Sequence, residues 1–230
     1  MRRVDLSGVP NQFHFEGGRD ACIPISIVVI YHLYNRLCAN LPLPTREEWI
    51  EVVSRGISLY EVWETHLHSE LYMTTTTMPT IHEMLQLDEC EPFLELFNIA
   101  RIERSGLARK PTDIAADTNI EGSLYHLLVD SKKLMVTHNK PVCILITLCI
   151  DRCVSVTCCA CQFYLFDSHG GMNDKDDCEC IVFPNAKDLA VYLVQKYEID
   201  NISHVDPAIL SLYTEAEING IYGYNAMIFI

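Results

Sequence analysis

The pattern of hydrophobic and polar positions changes at about residue 141. Before that point, apolar residues follow helical spacing, and the nearly uninterrupted apolar run over residues 21–34 has the length of a buried helix. Pro24 falls in the first turn of this helix, where a missing N–H is tolerated. The first twenty residues are predicted to be loop. Further helices are predicted over residues 46–54, 59–68 and 121–134, with capping-box patterns at 45–48 and 80–83 and a linker at 74–77.

After Pro141 the spacing becomes that of strands. The β-branched run over residues 142–150 predicts a central strand, because it is too short and too rich in Val and Ile for a helix. Asn185 is a good N-cap for a helix that runs to about Tyr197. Further strands are predicted over residues 154–158, 162–166, 180–183 and 222–230. Helices followed by a strand meander indicate an α+β fold, with a helical part packed on a mostly antiparallel sheet.

Composition narrows the class of protein. A chain of 230 residues with 49% apolar and 21% charged side chains fits one globular domain. Its net charge of −14 disfavours nucleic acid and anionic membranes as partners. The apolar runs are shorter than the roughly 20 residues that cross a bilayer, and the N-terminus has no signal-peptide pattern. We therefore expect a soluble protein made in a cytosol.

Eleven cysteines, an odd number, indicate mostly reduced thiols rather than a disulfide framework. One group of them invites a zinc interpretation, although adjacent cysteines in a strand point to opposite faces and the spacing differs from that of zinc knuckles. Buried cysteines that fill space are the simpler interpretation, and a zinc-binding interaction module remains an alternative. The group consists of Cys158, Cys159, Cys161, Cys178 and Cys180.

Cys22 differs from the other cysteines in its predicted setting. It follows a Gly-rich loop and begins the buried helix, where the helix N-terminus favours an anion and is expected to lower the pKa of the thiol. Asp167 and His169 stand two residues apart at a strand end, so the carboxylate can orient the imidazole toward a thiol. Gln12, ten residues before Cys22, can supply a side-chain amide to an oxyanion hole. Each feature alone is common in purely structural roles, and the hypothesis rests on their joint occurrence.

These motifs resemble those of the herpesvirus large tegument protein deubiquitinase domain and its viral tegument-like relatives, which are papain-like cysteine proteases. The resemblance rests on residues 11–13, the Gly17–Gly18 loop, Cys22 at the start of an apolar helix, and residues 166–170 in a late strand. It implies that Cys22 is the nucleophile, His169 the general base, Asp167 its orienting partner and Gln12 an oxyanion-hole residue.

The resemblance further implies one catalytic domain over residues 1–230, with a helical lobe at about 21–140 and a sheet lobe at about 141–230. The implied reaction is hydrolysis of isopeptide bonds at the C-terminal glycine of ubiquitin by a monomer that needs no cofactor or metal. The implied location is the cytosol of a host cell if the source is a virus or an intracellular bacterium. A protease for another ubiquitin-like modifier, or another papain-like thiol enzyme, remains an alternative.

Overall fold

The computed structural model describes residues 1–16, 18–71, 79–97, 101–107, 124–148, 152–170, 177–197 and 223–230. Six α-helices are described in these ranges: α1 (Cys22–Cys38), α2 (Arg46–Leu71), α3 (Ile81–Met84), α4 (Glu91–Leu96), α5 (Leu124–His138) and α6 (Ala186–Lys196). The strands are β1 (Arg2–Arg3), β2 (Arg101–Leu107), β3 (Val142–Leu148), β4 (Arg152–Cys159), β5 (Gln162–Asp167), β6 (Glu179–Phe183) and β7 (Gly223–Phe229).

All seven strands form one antiparallel sheet in the order β1-β6-β5-β4-β3-β7-β2. The middle of the sheet is a meander in which β3, β4, β5 and β6 follow one another along the chain. The strand β7 returns to lie between β3 and β2, which places the C-terminal residues inside the sheet. The predicted α+β class and the mostly antiparallel sheet are confirmed.

Both faces of the sheet are covered by helices. On β3, Cys143 and Leu145 pack with α1, α2 and α4, whereas Ile144 and Ile146 pack with α5 and α6. Successive strand residues point to opposite faces, so a strand that is buried on both faces needs an unbroken apolar run. This explains why residues 142–148 show no polar alternation.

Most of the predicted helices and strands are present, although their first and last residues differ from the predicted ones. The structure confirms the apolar helix that begins near Cys22, the four strands after Pro141, the Asn185-capped helix and the final strand. The capping box at Thr80 and Glu83 is present at the start of α3. The helix predicted over 121–134 runs as α5 from Leu124 to His138, with 121–123 outside the described residues. The linker predicted at 74–77 also lies outside them.

The prediction of two separate helices over 46–54 and 59–68 is wrong. The chain forms one helix, α2, that continues through Gly56. A Cβ at Gly56 would lie 2.4 Å from the Cα atom of Ile25 in α1. The glycine therefore serves close packing between α1 and α2 and does not interrupt the helix.

The strands β1 and β2 were not predicted. Residues 101–107 carry several polar and charged side chains, and they form a strand because β7 offers an adjacent edge for backbone pairing. Among the described helices, none combines the length and the apolar character needed to span a membrane.

Candidate active site

Cys22 is the first residue of α1, and the fold encloses its thiol almost completely. The 3-10 helix Gly18–Asp20 leads directly into α1, and Ala21 at the N-cap makes no side-chain capping bond. The exposed fraction of Cys22 is 1%. Its thiol hydrogen bonds to His169 and also to the main chain of Cys153 on β4. The predicted nucleophile therefore lies where the start of α1 meets the sheet.

The expectation of a lowered thiol pKa needs correction. Burial raises the pKa of Cys22, while the hydrogen bond and the charge of His169 oppose that rise. A helix N-terminus contributes at most a modest electrostatic effect, and complete desolvation of a thiolate outweighs it. An anionic sulfur at Cys22 thus depends on a protonated His169 beside it.

His169 lies two residues beyond the end of β5, and Asp167 is the last residue of that strand. One carboxylate oxygen of Asp167, Oδ1, lies 2.7 Å from the ring Nδ1 of His169 and accepts a hydrogen bond from its main-chain N–H at 2.9 Å. Since Nδ1 faces the carboxylate, Nε2 is the ring nitrogen that remains for the thiol of Cys22. The structure brings these three predicted residues into one hydrogen-bonded chain.

Electrostatic interactions link the pKa values of Cys22, His169 and Asp167. Burial by itself would lower the pKa of His169, but hydrogen bonds and charges from Asp167 and Cys22 outweigh it and raise the pKa to about 10. Burial by itself would raise the pKa of Asp167, but His169 and Lys196 hold it far below its usual range. The charge of Asp167 therefore favours the imidazolium form of His169, which lies between that carboxylate and the Cys22 thiol.

Gln12 belongs to the short 3-10 helix Gln12–His14 and is buried beside the turn that carries His169. Its main-chain N–H donates to the carbonyl of Ser168 at 3.0 Å. The hydroxyl of Ser168 donates to Gln12 Oε1 at 2.7 Å. This second bond fixes which end of the amide is the acceptor, so the amide is held as an oriented donor group. No sequence pattern singles out Ser168, because a serine between Asp167 and His169 fits any turn.

The N-terminal segment is fastened next to this turn by its own contacts. The N–H of Gly8 donates to Asp177 Oδ2 at 2.7 Å, and the N–H of Cys178 donates to the carbonyl of Val9 at 3.1 Å. A Cβ at Gly18 would lie 2.1 Å from the carbonyl oxygen of Gln12, so only glycine fits there. Gly17, the other glycine of the predicted loop, lies outside the described residues.

The C-terminal end of α6 supplies two further groups to the site. The ammonium Nζ of Lys196 lies 2.5 Å from Asp167 Oδ2, and the hydroxyl of Tyr197 donates to the same oxygen at 2.5 Å. Nothing in the sequence marks this pair, because a lysine in the last turn of a helix is ordinary. Only the packing of α6 against the sheet brings Lys196 and Tyr197 to Asp167.

The cysteines of the zinc alternative lie in different surroundings. The thiol of Cys158 faces Met135 on the α5 side of the sheet, whereas Cys178 and Cys180 pack on the α1 side. Cys161 is exposed. Within the described ranges, no group of three or more potential ligands is arranged to hold a metal ion. The five cysteines therefore do not converge on one site.

Open space adjoins the start of α1. A cavity of about 510 Å³ is lined by Ile23, the residue that follows Cys22, and by side chains from three strands and α3. Thr147 and Met227 form part of the wall on the sheet side. The exposed ring of Phe13 lies beside His169, with its centroid 6.0 Å from that of the His169 ring. The cavity therefore lies beside the first turn of α1, which begins at Cys22.

Comparisons with known proteins identify a similar fold. No protein-family model and no curated protein matches the sequence. Among solved structures, the chain is similar to the ubiquitin-specific protease encoded by a murine cytomegalovirus tegument protein, solved in complex with a ubiquitin-based suicide substrate. The TM-score is 0.58 at 14% identity, over 100% of this chain and 85% of that chain. Another similar structure is the Pseudomonas avirulence protein AvrPphB, with a TM-score of 0.47 at 10% identity, over 100% of this chain and 96% of that one. The first similarity confirms that the chain has the papain-like fold of the tegument ubiquitin-specific protease, as the sequence resemblance implied.

Proposed function

We propose that this protein is a deubiquitinase that uses Cys22, His169 and Asp167 to hydrolyse isopeptide bonds at the C-terminal glycine of ubiquitin. The observation that carries the proposal is the hydrogen-bonded chain from the Cys22 thiol through His169 to Asp167. A thiol, a base and an orienting carboxylate in this order are what nucleophilic acyl transfer needs. The similar fold of a ubiquitin-specific protease supports ubiquitin as the substrate.

In the first step, the Cys22 thiolate attacks the carbonyl carbon of the terminal glycine, and the carbonyl oxygen becomes an oxyanion. We assign the stabilisation of that negative charge to the side-chain amide of Gln12 and to the N-terminus of α1. His169 then gives its proton to the departing lysine amine as the carbon–nitrogen bond breaks. A thioester between Cys22 and ubiquitin remains.

In the second step, His169 is neutral and accepts a proton from a water molecule that attacks the thioester. The carbon–sulfur bond breaks, ubiquitin leaves with a free carboxyl group that loses its proton to solvent, and the thiolate–imidazolium pair is restored. Asp167 keeps the ring in one orientation during both steps, because its Oδ1 bonds both Nδ1 and the main-chain N–H of His169. These residues carry both steps without a cofactor.

Cleavage of fluorogenic conjugates tests this function. We expect the protein to release the fluorophore from a ubiquitin conjugate, and the His169→Ala variant to lose that activity. The exposed Cys38 offers a matched cysteine control, and Cys38→Ala is expected to act like the unmodified protein. Conjugates of other ubiquitin-like modifiers test the alternative substrates. Turnover of one of those, with none of ubiquitin, would assign the protein to another modifier.

A further inference from the structure

Lys196 is a buried cation, and two of its three hydrogen-bond acceptors belong to residues on either side of His169. Only 8% of its side chain is exposed. Its ammonium group contacts Asp167 Oδ2 at 2.5 Å, Glu179 Oε2 at 2.6 Å and the carbonyl oxygen of Gly170 at 2.8 Å. An ammonium group has three N–H donors, so these three acceptors use its full capacity. Burying a lysine is costly unless it is paired in this way.

The carboxylate of Asp167 is shared between two parts of the molecule. Its Oδ1 accepts both hydrogen bonds from His169, and its Oδ2 accepts those from Lys196 and from the Tyr197 hydroxyl. With two partners on each oxygen, the carboxylate has no freedom to rotate. The orientation of the imidazole is therefore set by α6 as well as by β5.

Lys196 also holds the turn on the far side of His169. Gly170 has a φ of 79°, a left-handed conformation that favours glycine, and its carbonyl is thereby turned toward the ammonium group. Asp167 and Gly170 bracket the histidine in sequence, and both are bonded to the same Nζ atom. This arrangement fixes the main chain on both sides of the ring.

We propose that Lys196 and Tyr197 are positioning residues for His169, acting through Asp167 and Gly170. The inference deepens the proposed function and rests on it for the identity of the reaction. Glu179 completes the network from β6, where it contacts Lys196, the hydroxyl of Tyr192 at 2.5 Å and, at the rim, Arg3 at 3.3 Å. If the network served only to fasten α6 to the sheet, its loss would lower stability and leave turnover unchanged.

The test compares Tyr197→Phe and Lys196→Met with the unmodified protein on a fluorogenic ubiquitin conjugate. Because small misplacements of a catalytic group cost up to about 100-fold in rate, we expect kcat to fall about 10-fold in Tyr197→Phe and up to about 100-fold in Lys196→Met. KM is expected to stay within about twofold, since neither side chain is placed to bind ubiquitin. The matched control is Lys187→Met, which replaces an exposed lysine on the same helix and should leave kcat and KM unchanged.

A second measurement needs no ubiquitin. We compare the rate at which iodoacetamide alkylates Cys22 at pH 7, resolved by peptide mass spectrometry from the exposed Cys38 and Cys161. At equal access to the buried thiol, this rate follows the thiolate fraction of Cys22. We expect this rate to fall about 10-fold in Tyr197→Phe. Because Tyr197→Phe removes only one hydroxyl, it still tests the positioning role if Lys196→Met fails to fold.

The outcomes separate the two proposals. A lowered Tm with unchanged kcat and unchanged alkylation in Tyr197→Phe would overturn the positioning role. An unmodified protein that leaves ubiquitin uncleaved, together with slower alkylation of Cys22 in the variants, would contradict the deubiquitinase proposal and support the positioning role.

Discussion

Asp167 gives the clearest prediction for a single residue, because its carboxylate determines both the orientation and the pKa of His169. Replacement by Asn keeps the shape and removes the charge that stabilises the imidazolium, so the pKa of His169 falls from about 10. We expect Asp167→Asn to lower kcat/KM about 100- to 10,000-fold and to shift its alkaline limb to lower pH. A kcat/KM profile from about pH 5 to 10.5 measures both effects. The control is Asp130→Asn, which replaces an exposed aspartate on α5. If the alkaline limb of the Asp167→Asn profile did not shift, the role assigned to Asp167 would be contradicted.

Gln12 supports a second prediction for a single residue. Its amide is oriented by Ser168, and a single oxyanion-hole donor contributes about 100- to 1,000-fold to kcat. We therefore expect Gln12→Ala to lower kcat by about that factor with little change in KM. Ser168→Ala should produce a smaller loss, since the amide stays but is less constrained. Gln86→Ala on the exposed surface is the control. Normal turnover by Gln12→Ala would exclude Gln12 from the oxyanion hole.

Among the helices, the contact between α1 and α2 bears most directly on the position of the nucleophile. A methyl group at Gly56 would lie 2.4 Å from Ile25 Cα, three residues beyond Cys22, and helix backbones cannot yield locally by that amount. Overpacking of this kind costs about 1–3 kcal/mol, so Gly56→Ala should lower the free energy of unfolding by that amount. Ser58→Ala on the exposed face of α2 should be neutral. Denaturant unfolding measures both, and equal stability of the two variants would refute close packing at Gly56.

Gly56 is a position where the sequence pattern alone does not predict the observed structure. The apolar runs at α1 and β3 are long and unambiguous, so their element types follow from the sequence. Gly56 favours a break when only local propensity is considered, and the continuous helix α2 follows from tertiary packing that no local pattern encodes. In the same way, the strand β2 depends on an edge that β7 presents from more than 100 residues away.

Within the site, sequence motifs identify Asp167, His169 and Cys22, whose local settings are formed by residues close to them along the chain. The pair Asp167 and His169 lies within one turn, and Cys22 begins its own helix, so both are visible as motifs. Lys196 and Tyr197 are not visible, because their partner is about thirty residues away along the chain and a different strand order would separate them. Full burial of Cys22, which raises the pKa of its thiol, is likewise a property of the assembled fold.

For the molecule as a whole, the two buried charges make stability depend on pH in a defined way. The lowered pKa of Asp167 contributes stability that is present above about pH 4 and is lost as the pH falls below that value. The raised pKa of His169 contributes stability that is fully present below about pH 6.5 and is lost as the pH rises toward 10. From these two groups, we expect the free energy of unfolding to be highest between about pH 4 and 6.5.

Urea unfolding across this pH range checks that expectation. Asp167→Asn removes the charge that perturbs His169, so its stability should vary less with pH on both sides than that of the unmodified protein. If both proteins showed the same pH dependence, the buried pair would not be the source of the effect.

The attack of Cys22 on the C-terminus of ubiquitin is tested by reaction with a ubiquitin probe that carries a C-terminal electrophile. The product is read on a denaturing gel beside the Cys22→Ala variant, with Cys38→Ala as the cysteine control. We predict a shift by the mass of one ubiquitin in the unmodified protein and in Cys38→Ala, and none in Cys22→Ala. A folded, unmodified protein that gives no shift would argue against ubiquitin as the substrate, and a shift that persists in Cys22→Ala would exclude Cys22 as the nucleophile.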